Sequence, residues 1–440
     1  MPVPDAFPDP SDGDSGLPPS GDARRARLGP PEPAELGLLS EYRPPQTTER
    51  VGRHVALALA TFASMVWAGG TISGLAGRFT LREWIVGPLD LTVFSLLVDD
   101  GFLSVGLAYA VPFFLFLTVH EFGHYLAARR HRVSVSLPYY IPIPLTGTLG
   151  TFGAVIRIRE PIRRTRQLFD IGAAGPLAGV VVAILATAWA AWSLPPPAYL
   201  LDVPGHEDVM AALMQTGAFP PFEGVSAGAQ ALVFGDTPLF HLLGSLGPYR
   251  VPGHEIMHYP VLLAGWLGLF FTALNLLPVG QLDGGHVVYA LFGPRVHSVV
   301  ARVTTLLLLL SGAIGAAGDL VPWIGEATGV GEIAGWAVLA VVVAGATRRL
   351  FDDEWRIVLP AVAAVLGLVV WMVFGLPGLA AEVGYTGWLF WIGLILFVIR
   401  VDHPPVLVPD ALSPRQRALG YLCLVLFVLC FSIQPIQVLG

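Results

Sequence analysis

The sequence predicts an all-α polytopic membrane protein with about nine transmembrane helices. Hydrophobic residues make up 54% of the chain and charged residues only 13%, whereas about a quarter of the residues in a soluble domain are charged. A chain this poor in charge cannot cover a water-facing surface. Apolar stretches near the length of about 20 residues that crosses a bilayer also recur along it. We therefore expect an integral membrane protein surrounded by a lipid bilayer.

Nine segments of the chain are candidates for membrane spans. They are 55–77, 103–128, 168–194, 259–292, 300–318, 333–347, 357–376, 386–400 and 418–437. We divide the chain into a tail over 1–50, a membrane core over 51–295 with a long loop at 195–258, and additional transmembrane helices over 296–440. The tail is rich in Pro, Asp, Glu and Gly. Because it cannot bury enough apolar surface to offset its ordering entropy, we expect it to be disordered.

The distribution of arginine predicts the orientation in the membrane. The loop at 129–167 contains eight Arg and one Glu, whereas the loop at 195–258 contains one Arg and six acidic residues. Since arginine-rich loops stay in the cytoplasm, we expect 129–167 and the N-terminus inside and 195–258 outside a bacterial inner or plasma membrane. No strongly basic patch favours nucleic acid as a partner.

The two cysteines, Cys423 and Cys430, fall in the last predicted span. On one helix they would lie about 10 Å apart, which is too far for a disulfide bond. Two thiols alone do not make a zinc site either. We interpret both as small apolar residues of a membrane helix.

The second predicted span contains the pattern His-Glu-x-x-His. On a helix, His120 and His124 share one face, one turn apart, and two imidazoles there can bind Zn²⁺ at about 2.0–2.1 Å. Glu121 is rotated from His120 by about 100° and is near enough to take a proton from an attacking water. Ionisable residues inside a membrane usually mark function. The alternative is a polar helix end that reaches the cytoplasm beside Arg129.

The same pattern recurs at His254, Glu255 and His258. Pro252 precedes it and Pro260 follows, and prolines disfavour a regular helix through both histidines. The charge pattern also places it at the external mouth of the fourth predicted span. We favour a turn that enters a membrane helix. A loose peripheral metal site, or an external protease site, is the minority interpretation.

The fourth predicted span carries Asp283 in otherwise apolar sequence. Two histidines leave a zinc short of at least one protein ligand, and a carboxylate is a common third. His120 and Asp283 each lie about two-thirds along a span that runs inward, so all three ligands are expected at one depth. Pro278 and the nearby glycines indicate a broken helix, whose backbone groups can face the site. The alternative is an Asp that caps a half-helix at a water-filled crevice.

His286 follows Asp283 by three residues and is a possible fourth ligand. A catalytic zinc keeps one position open for water. We therefore leave the fourth position to water and expect His286 to support the site or to form a structural hydrogen bond at the helix end.

The segment from His120 to His124 and the segment from Asn275 to Gly285 together resemble the site-2 protease family of intramembrane metalloproteases. The combination HExxH plus NxxPxxxxDGG, with both parts in membrane spans, is highly specific. Residues 169–179 are similar to the family's small-residue span, and residues 138–153 are similar to its membrane-associated β-hairpin. The resemblance covers residues 100–290.

The resemblance implies an intramembrane zinc metalloendopeptidase. It implies that His120, His124 and Asp283 bind Zn²⁺, that Glu121 is the general base, and that Asn275 positions the substrate or stabilises the oxyanion. The expected substrate is a transmembrane protein, such as an anti-sigma factor or the remnant of a signal peptide, cut in or near a membrane helix.

A helical substrate must unwind locally before it is cut, because a helix protects its own amides. The 138–158 segment, which is strand-like near its end, could hold the unwound stretch by strand addition. An ordinary re-entrant loop is an equal alternative.

Two other functions fit the same motifs: a non-catalytic membrane protein that binds clients, and a metal transporter. The presence of Glu121 and both histidines argues against the first. The second needs a polar path across several spans, and the sequence shows none outside the motif region. The oligomeric state stays open.

Overall fold

The computed structural model describes residues 49–72, 101–145, 148–203, 205–222 and 231–439. The tail predicted to be disordered over 1–50 lies outside the described residues except for its last two. The predicted end of the first span, beyond residue 72, lies outside them as well.

Helices make up most of the described part of the chain. They are α1 (Val51–Ile72), α2 (Phe102–Arg130), α3 (Thr165–Trp192), α4 (Glu207–Thr216), α5 (Pro238–Gly244), α6 (Pro260–Asn275), α7 (Asp283–Thr328), α8 (Glu332–Leu350), α9 (Trp355–Gly375), α10 (Pro377–Val383), α11 (Trp388–Leu394) and α12 (Pro414–Cys430). Short 3₁₀ segments lie at Pro197–Asp202 and Ile256–His258, and a π-helical turn lies at Ile395–Ile399. The strands are β1 (Tyr139–Pro142), β2 (Thr151–Val155), β3 (Ala231–Phe234) and β4 (Ile436–Leu439).

Six of the described helices, α1, α2, α3, α7, α8 and α9, are long and apolar enough to cross a membrane. A seventh span is possible if α10 and the helix over Trp388–Ile399, which meet at a 48° bend, count as one. Helix α6 is apolar but has only 16 residues. The molecule is an integral membrane protein with a mainly helical fold, and the predicted count of nine spans is not confirmed.

The fourth predicted span, 259–292, is interrupted in the structure. Helix α6 ends at Asn275, and α7 begins at Asp283 and continues through a kink at Gly293 as far as Thr328. Pro278 has no backbone N–H, and Gly280 has a φ of 55°, which is the left-handed region that glycine tolerates best. The turn between the helices is the break that the sequence indicated, and one bent helix carries both the end of this span and the next predicted span.

The last predicted span, 418–437, is also shorter as a helix. Helix α12 ends at Cys430, and the chain continues as β4, which pairs antiparallel with β3. Pro435 precedes β4, and the residue before a proline is disfavoured in helical geometry. Cys423 and Cys430 are both buried and free, as expected for apolar positions.

The predicted hairpin after α2 is present. Strands β1 and β2 pair antiparallel, with Tyr139 opposite Val155 and Tyr140 opposite Ala154, and the register shifts before Pro142. The chain between α2 and α3 therefore forms a short ribbon, and its strand β1 packs against α1. Its side next to the membrane core is held by the Tyr140 hydroxyl, which donates a hydrogen bond to Oγ1 of Thr118 at 2.9 Å.

Helices α2, α3 and α6 pack against one another and form the core that carries both motifs. Large side chains such as Phe113, Phe116 and Trp266 are at most 1% exposed within it. Helices α2 and α3 approach closely where Gly123 faces the backbone carbonyl of Ala174. Small residues allow such approaches between membrane helices, whose association depends on close packing.

Candidate metal centre

Three side chains from two distant parts of the chain meet at one point in the core. His120 and His124 lie one turn apart on α2, and their Nε2 atoms are 3.1 Å apart. Oδ2 of Asp283, the first residue of α7, lies 3.4 Å from Nε2 of His120 and 3.2 Å from Nε2 of His124. The structure therefore brings together the three residues that the sequence singled out as metal ligands.

The spacing of these three atoms fits a tetrahedral zinc ion. Zinc bonds of about 2.0–2.1 Å at tetrahedral angles place neighbouring ligand atoms about 3.3 Å apart. Both histidines are at most 7% exposed, and the Asp283 side chain is 15% exposed. A carboxylate and two imidazole nitrogens that face one another in a buried place would be stabilised by a cation between them, because a buried charge is costly unless it is paired. The donor set, two nitrogens and one oxygen, is one that Zn²⁺ accepts.

Backbone groups orient two of the three ligands. Nδ1 of His124 donates to the carbonyl oxygen of Ile171 at 2.6 Å, which leaves the Nε2 lone pair directed at Asp283. Asp283 begins α7, where the positive end of the helix dipole favours a negative charge. Helix α3 and the start of α7 thus hold the site in shape.

Glu121 and Asn275 flank the three ligand atoms. Glu121 is 7% exposed, and its carboxylate accepts a backbone hydrogen bond from Ile156, just after β2. Nδ2 of Asn275, the last residue of α6, lies 3.4 Å from Nε2 of His120. The remaining predicted residues are therefore at the same site, and the end of the hairpin lies beside the carboxylate.

Two glycines of α3 form one wall of the site, and their role was not predicted from the sequence. A Cβ at Gly175 would overlap Nε2 of His124, and a Cβ at Gly179 would come within 3.0 Å of the Cβ of His120. The sequence signal for this wall was the small-residue stretch at 169–179, but its individual contacts depend on how α3 crosses α2.

His286 lies on the first turn of α7 but pairs away from the three ligand atoms. Its Nδ1 is 2.8 Å from Nε2 of His403, in the segment between the π-helical turn and α12. The same segment accepts a hydrogen bond from the Gly280 amide at the Val401 carbonyl, at 3.0 Å. We call residues 400–413, which contain His403, the crossing segment. The sequence analysis did not identify it as part of the site, because it lies more than 100 residues beyond the motif.

A cavity of about 670 Å³ adjoins the site. It is lined by His286, His403, Gln281 and residues 156–162 and 404–406. This volume is in the usual range for ligand-binding clefts. It lies between the chain that follows β2 and the crossing segment, so it offers room for water and for a stretch of extended polypeptide.

The second His-Glu-x-x-His pattern does not lie on a regular helix. Ile256–His258 form a single 3₁₀ turn before α6, as the prolines indicated. Burial would raise the pKa of Glu255, but the hydrogen bond and charge of His206, then the charges of His258 and His254, hold that pKa below its usual range. The predicted turn is present, and His206, a histidine from another element, contacts Glu255 of this pattern.

Comparisons with known proteins support the pairing of the two motifs. Residues 108–312 match the sequence model of peptidase family M50. The chain is similar to the probable zinc metalloprotease EGY2, chloroplastic, of Arabidopsis thaliana, with 28% identity over 254 residues, 57% of this chain and 40% of that relative. It is similar to the probable zinc metalloprotease EGY1, chloroplastic, of Oryza sativa subsp. japonica, with 33% identity over 212 residues, 46% of this chain and 31% of the relative.

A third similar protein is the probable zinc metallopeptidase EGY3, chloroplastic, of Arabidopsis thaliana, with 27% identity over 267 residues, 60% of this chain and 40% of the relative. The chain therefore spans less than half the length of these curated relatives. No solved structure matches it.

Proposed function

We propose that the chain is an intramembrane zinc metalloendopeptidase of the site-2 protease family, since residues 108–312 match the sequence model of peptidase family M50. Its proposed reaction is hydrolysis of a peptide bond in or near a transmembrane helix of another membrane protein. The observation that carries the proposal is the meeting of His120, His124 and Asp283 within 3.4 Å, with Glu121 and Asn275 beside them.

Zn²⁺ in this site would polarise the scissile carbonyl and make a water acidic enough to be activated near neutral pH. His120, His124 and Asp283 would hold it. Glu121 would accept the proton of the attacking water and then deliver it to the leaving amine. The hydrogen bond from the Ile156 amide would hold the Glu121 carboxylate in place.

Asp283→Ala is expected to remove both zinc and activity. It deletes one of three protein ligands and leaves two histidines, whose affinity for the ion is expected to be at least about 100-fold lower. Zinc content of the purified protein and cleavage of a membrane substrate are the two measurements. Asp319→Ala, far along α7 from the site, is the matched control and should retain both. Retention of zinc and activity by Asp283→Ala would contradict the assignment of the third ligand.

Asn275 is placed to act on the substrate carbonyl. Its side-chain amide can donate a hydrogen bond where negative charge develops on the oxygen, which is typically worth 10²–10³-fold in rate. Asn275→Ala should therefore lower kcat about 100-fold while zinc content is unchanged. Asn275→Asp, similar in size but without the donor, should be equally impaired. A loss of zinc in Asn275→Ala would instead assign this residue to the structure of the site.

We propose that the substrate is held next to Glu121 as an added strand. Strand β2 pairs with β1, and the chain after β2 runs past the Glu121 carboxylate and along the cavity. An unwound segment that hydrogen-bonds to β2 or to the residues after it would lie across the ligand atoms. The exposed side chains of Phe152 and Val155, at 69% and 51%, offer it apolar contact.

We propose that the hairpin side of the membrane, including 129–167 and the N-terminus, is cytoplasmic. The charge asymmetry between 129–167 and 195–258 supports this orientation. The named relatives are chloroplastic proteins, so the proposed bacterial inner or plasma membrane rests on the charge pattern alone.

A further inference from the structure

A second group of metal-ligating side chains lies at the opposite end of α6 from Asn275. It consists of His206, which precedes α4, and Glu255 and His258, which precede α6. Helix α6 has 16 residues, so its two ends are about 24 Å apart. The group is therefore separate from the site formed by His120, His124 and Asp283.

The three side chains are close to one another and largely buried. Nε2 of His206 lies 3.3 Å from Oε2 of Glu255, and the rings of His206 and His258 are 4.7 Å apart at an angle of 78°. Glu255 is 5% and His258 7% exposed. One ligand atom from each residue lies within 4.8 Å of the other two.

We propose that His206, Glu255 and His258 form a second metal site, which binds a divalent transition-metal ion of the zinc type. The donor set, two imidazoles and one carboxylate, is the same as in the first site. Imidazole nitrogens favour zinc and its neighbours, whereas calcium and magnesium prefer oxygen ligands.

The geometry requires only a local adjustment to bind the ion. The pair His206–Glu255 already has the spacing of about 3.3 Å expected between ligands of a tetrahedral zinc. The widest separation in the group, at most 4.8 Å, needs to shrink by about 1.5 Å, which rotation of one imidazole about its side-chain bonds can supply.

The ligand set differs from the one that the sequence pattern suggests. In a helical His-Glu-x-x-His, both histidines bind the metal and the Glu remains free to act as a base. Here the last three residues of the pattern form a 3₁₀ turn that Glu255 precedes, so Glu255 becomes a ligand and His206 joins from 49 residues earlier in the chain. His254 stays outside, with its Nε2 3.8 Å from Oε1 of Glu255.

The second metal has a structural role. It joins the start of α4 to the turn that enters α6, and so fixes the long loop against the end of the core away from the first site. The same turn is already held by the Tyr199 hydroxyl, which donates to the carbonyl of His258 at 2.9 Å. Because the metal and this hydrogen bond would both hold the long loop, ordering the rest of the loop costs less conformational entropy.

Metal stoichiometry of the full-length protein tests the proposal independently of protease activity. After incubation with excess Zn²⁺ and removal of free metal, the wild type should hold two zinc ions per chain. His206→Ala and His258→Ala should each hold one, and His120→Ala/His124→Ala should also hold one. Because the single variants keep the ion of the first site, that ion reports that they remain folded. The combined variant His206→Ala/His120→Ala/His124→Ala should hold none.

Two histidines of the same loop are matched controls. His254→Ala and His241→Ala should hold two ions, since neither belongs to the proposed ligand set; His241 pairs with Asp236 at 2.9 Å. Cobalt bound to His120→Ala/His124→Ala should show the visible absorption of a four-coordinate ion, which His206→Gln should abolish in that background. The proposal is overturned if His120→Ala/His124→Ala holds no ion, if His206→Ala holds as many ions as the wild type, or if His254→Ala loses one.

Discussion

Glu121→Gln is expected to lower kcat/KM for a membrane substrate by about 10³-fold and to leave the zinc content unchanged, because a general base typically contributes 10²–10⁴-fold. The amide has the size of the carboxylate but cannot take a proton from water. Glu121 is not one of the three residues whose ligand atoms meet at the metal position, so the ion should remain bound. Cleavage of a transmembrane substrate by the purified protein and its zinc content are the measurements.

The control for this variant is Glu332→Gln, the same change at an exposed position at the start of α8, which should cut at the wild-type rate. Full activity in Glu121→Gln would contradict the proposed mechanism. If Glu255→Gln were the inactive variant instead, the reaction would have to be assigned to the second motif. Metal uptake into vesicles that is independent of Glu121 would support a transporter.

The centre of the site could be predicted from the sequence because its parts are locally encoded. The spacing of His120 and His124 needs only a helix, and the break before Asp283 follows from Pro278 and the glycines. The family resemblance supplied the pairing of the two motifs. Periodicity alone could not predict that the second motif approaches the first to within 3.4 Å, since that approach depends on the packing of α3 and α6.

The number of membrane spans was less predictable for a physical reason. Hydropathy measures the apolar length of a segment, but it does not show where the backbone turns. Residues 259–292 are apolar throughout most of their length, yet they fold as α6, a turn and the start of α7. Residues 418–437 are similarly apolar, but their end forms β4 because β3 offers unpaired backbone groups to it.

The helices after residue 300 had no predicted role, and the segment that follows the π-helical turn gives them one. The carbonyl of Val401 accepts a hydrogen bond from the amide of Gly280, and a Cβ at Gly280 would overlap the carbonyl of Arg400. The turn that precedes Asp283 is therefore held in part by a segment that lies 120 residues later in the sequence. No local pattern in the sequence could indicate such a contact.

Gly175→Ala is expected to weaken zinc binding by about 10- to 100-fold and to reduce proteolysis to a corresponding extent. The added Cβ would occupy the place of Nε2 of His124. The ring cannot move away easily, because Nδ1 is tied to the carbonyl of Ile171 at 2.6 Å. Overpacking of this kind costs about 1–3 kcal/mol, and 1.4 kcal/mol corresponds to a factor of ten in affinity. Competition with a chelator of known affinity measures the effect.

Gly367→Ala is the matched control for this change, since it adds the same methyl group to membrane helix α9 at a position where a Cβ meets nothing within 4 Å. It should bind zinc as the wild type does and be slightly more stable, because alanine is preferred to glycine inside a helix by about 0.5–1 kcal/mol. Wild-type affinity in Gly175→Ala would mean that α3 does not pack against His124. A loss confined to Gly175→Ala would show that the metal centre depends on a residue with no side chain, because only glycine leaves room there for the imidazole.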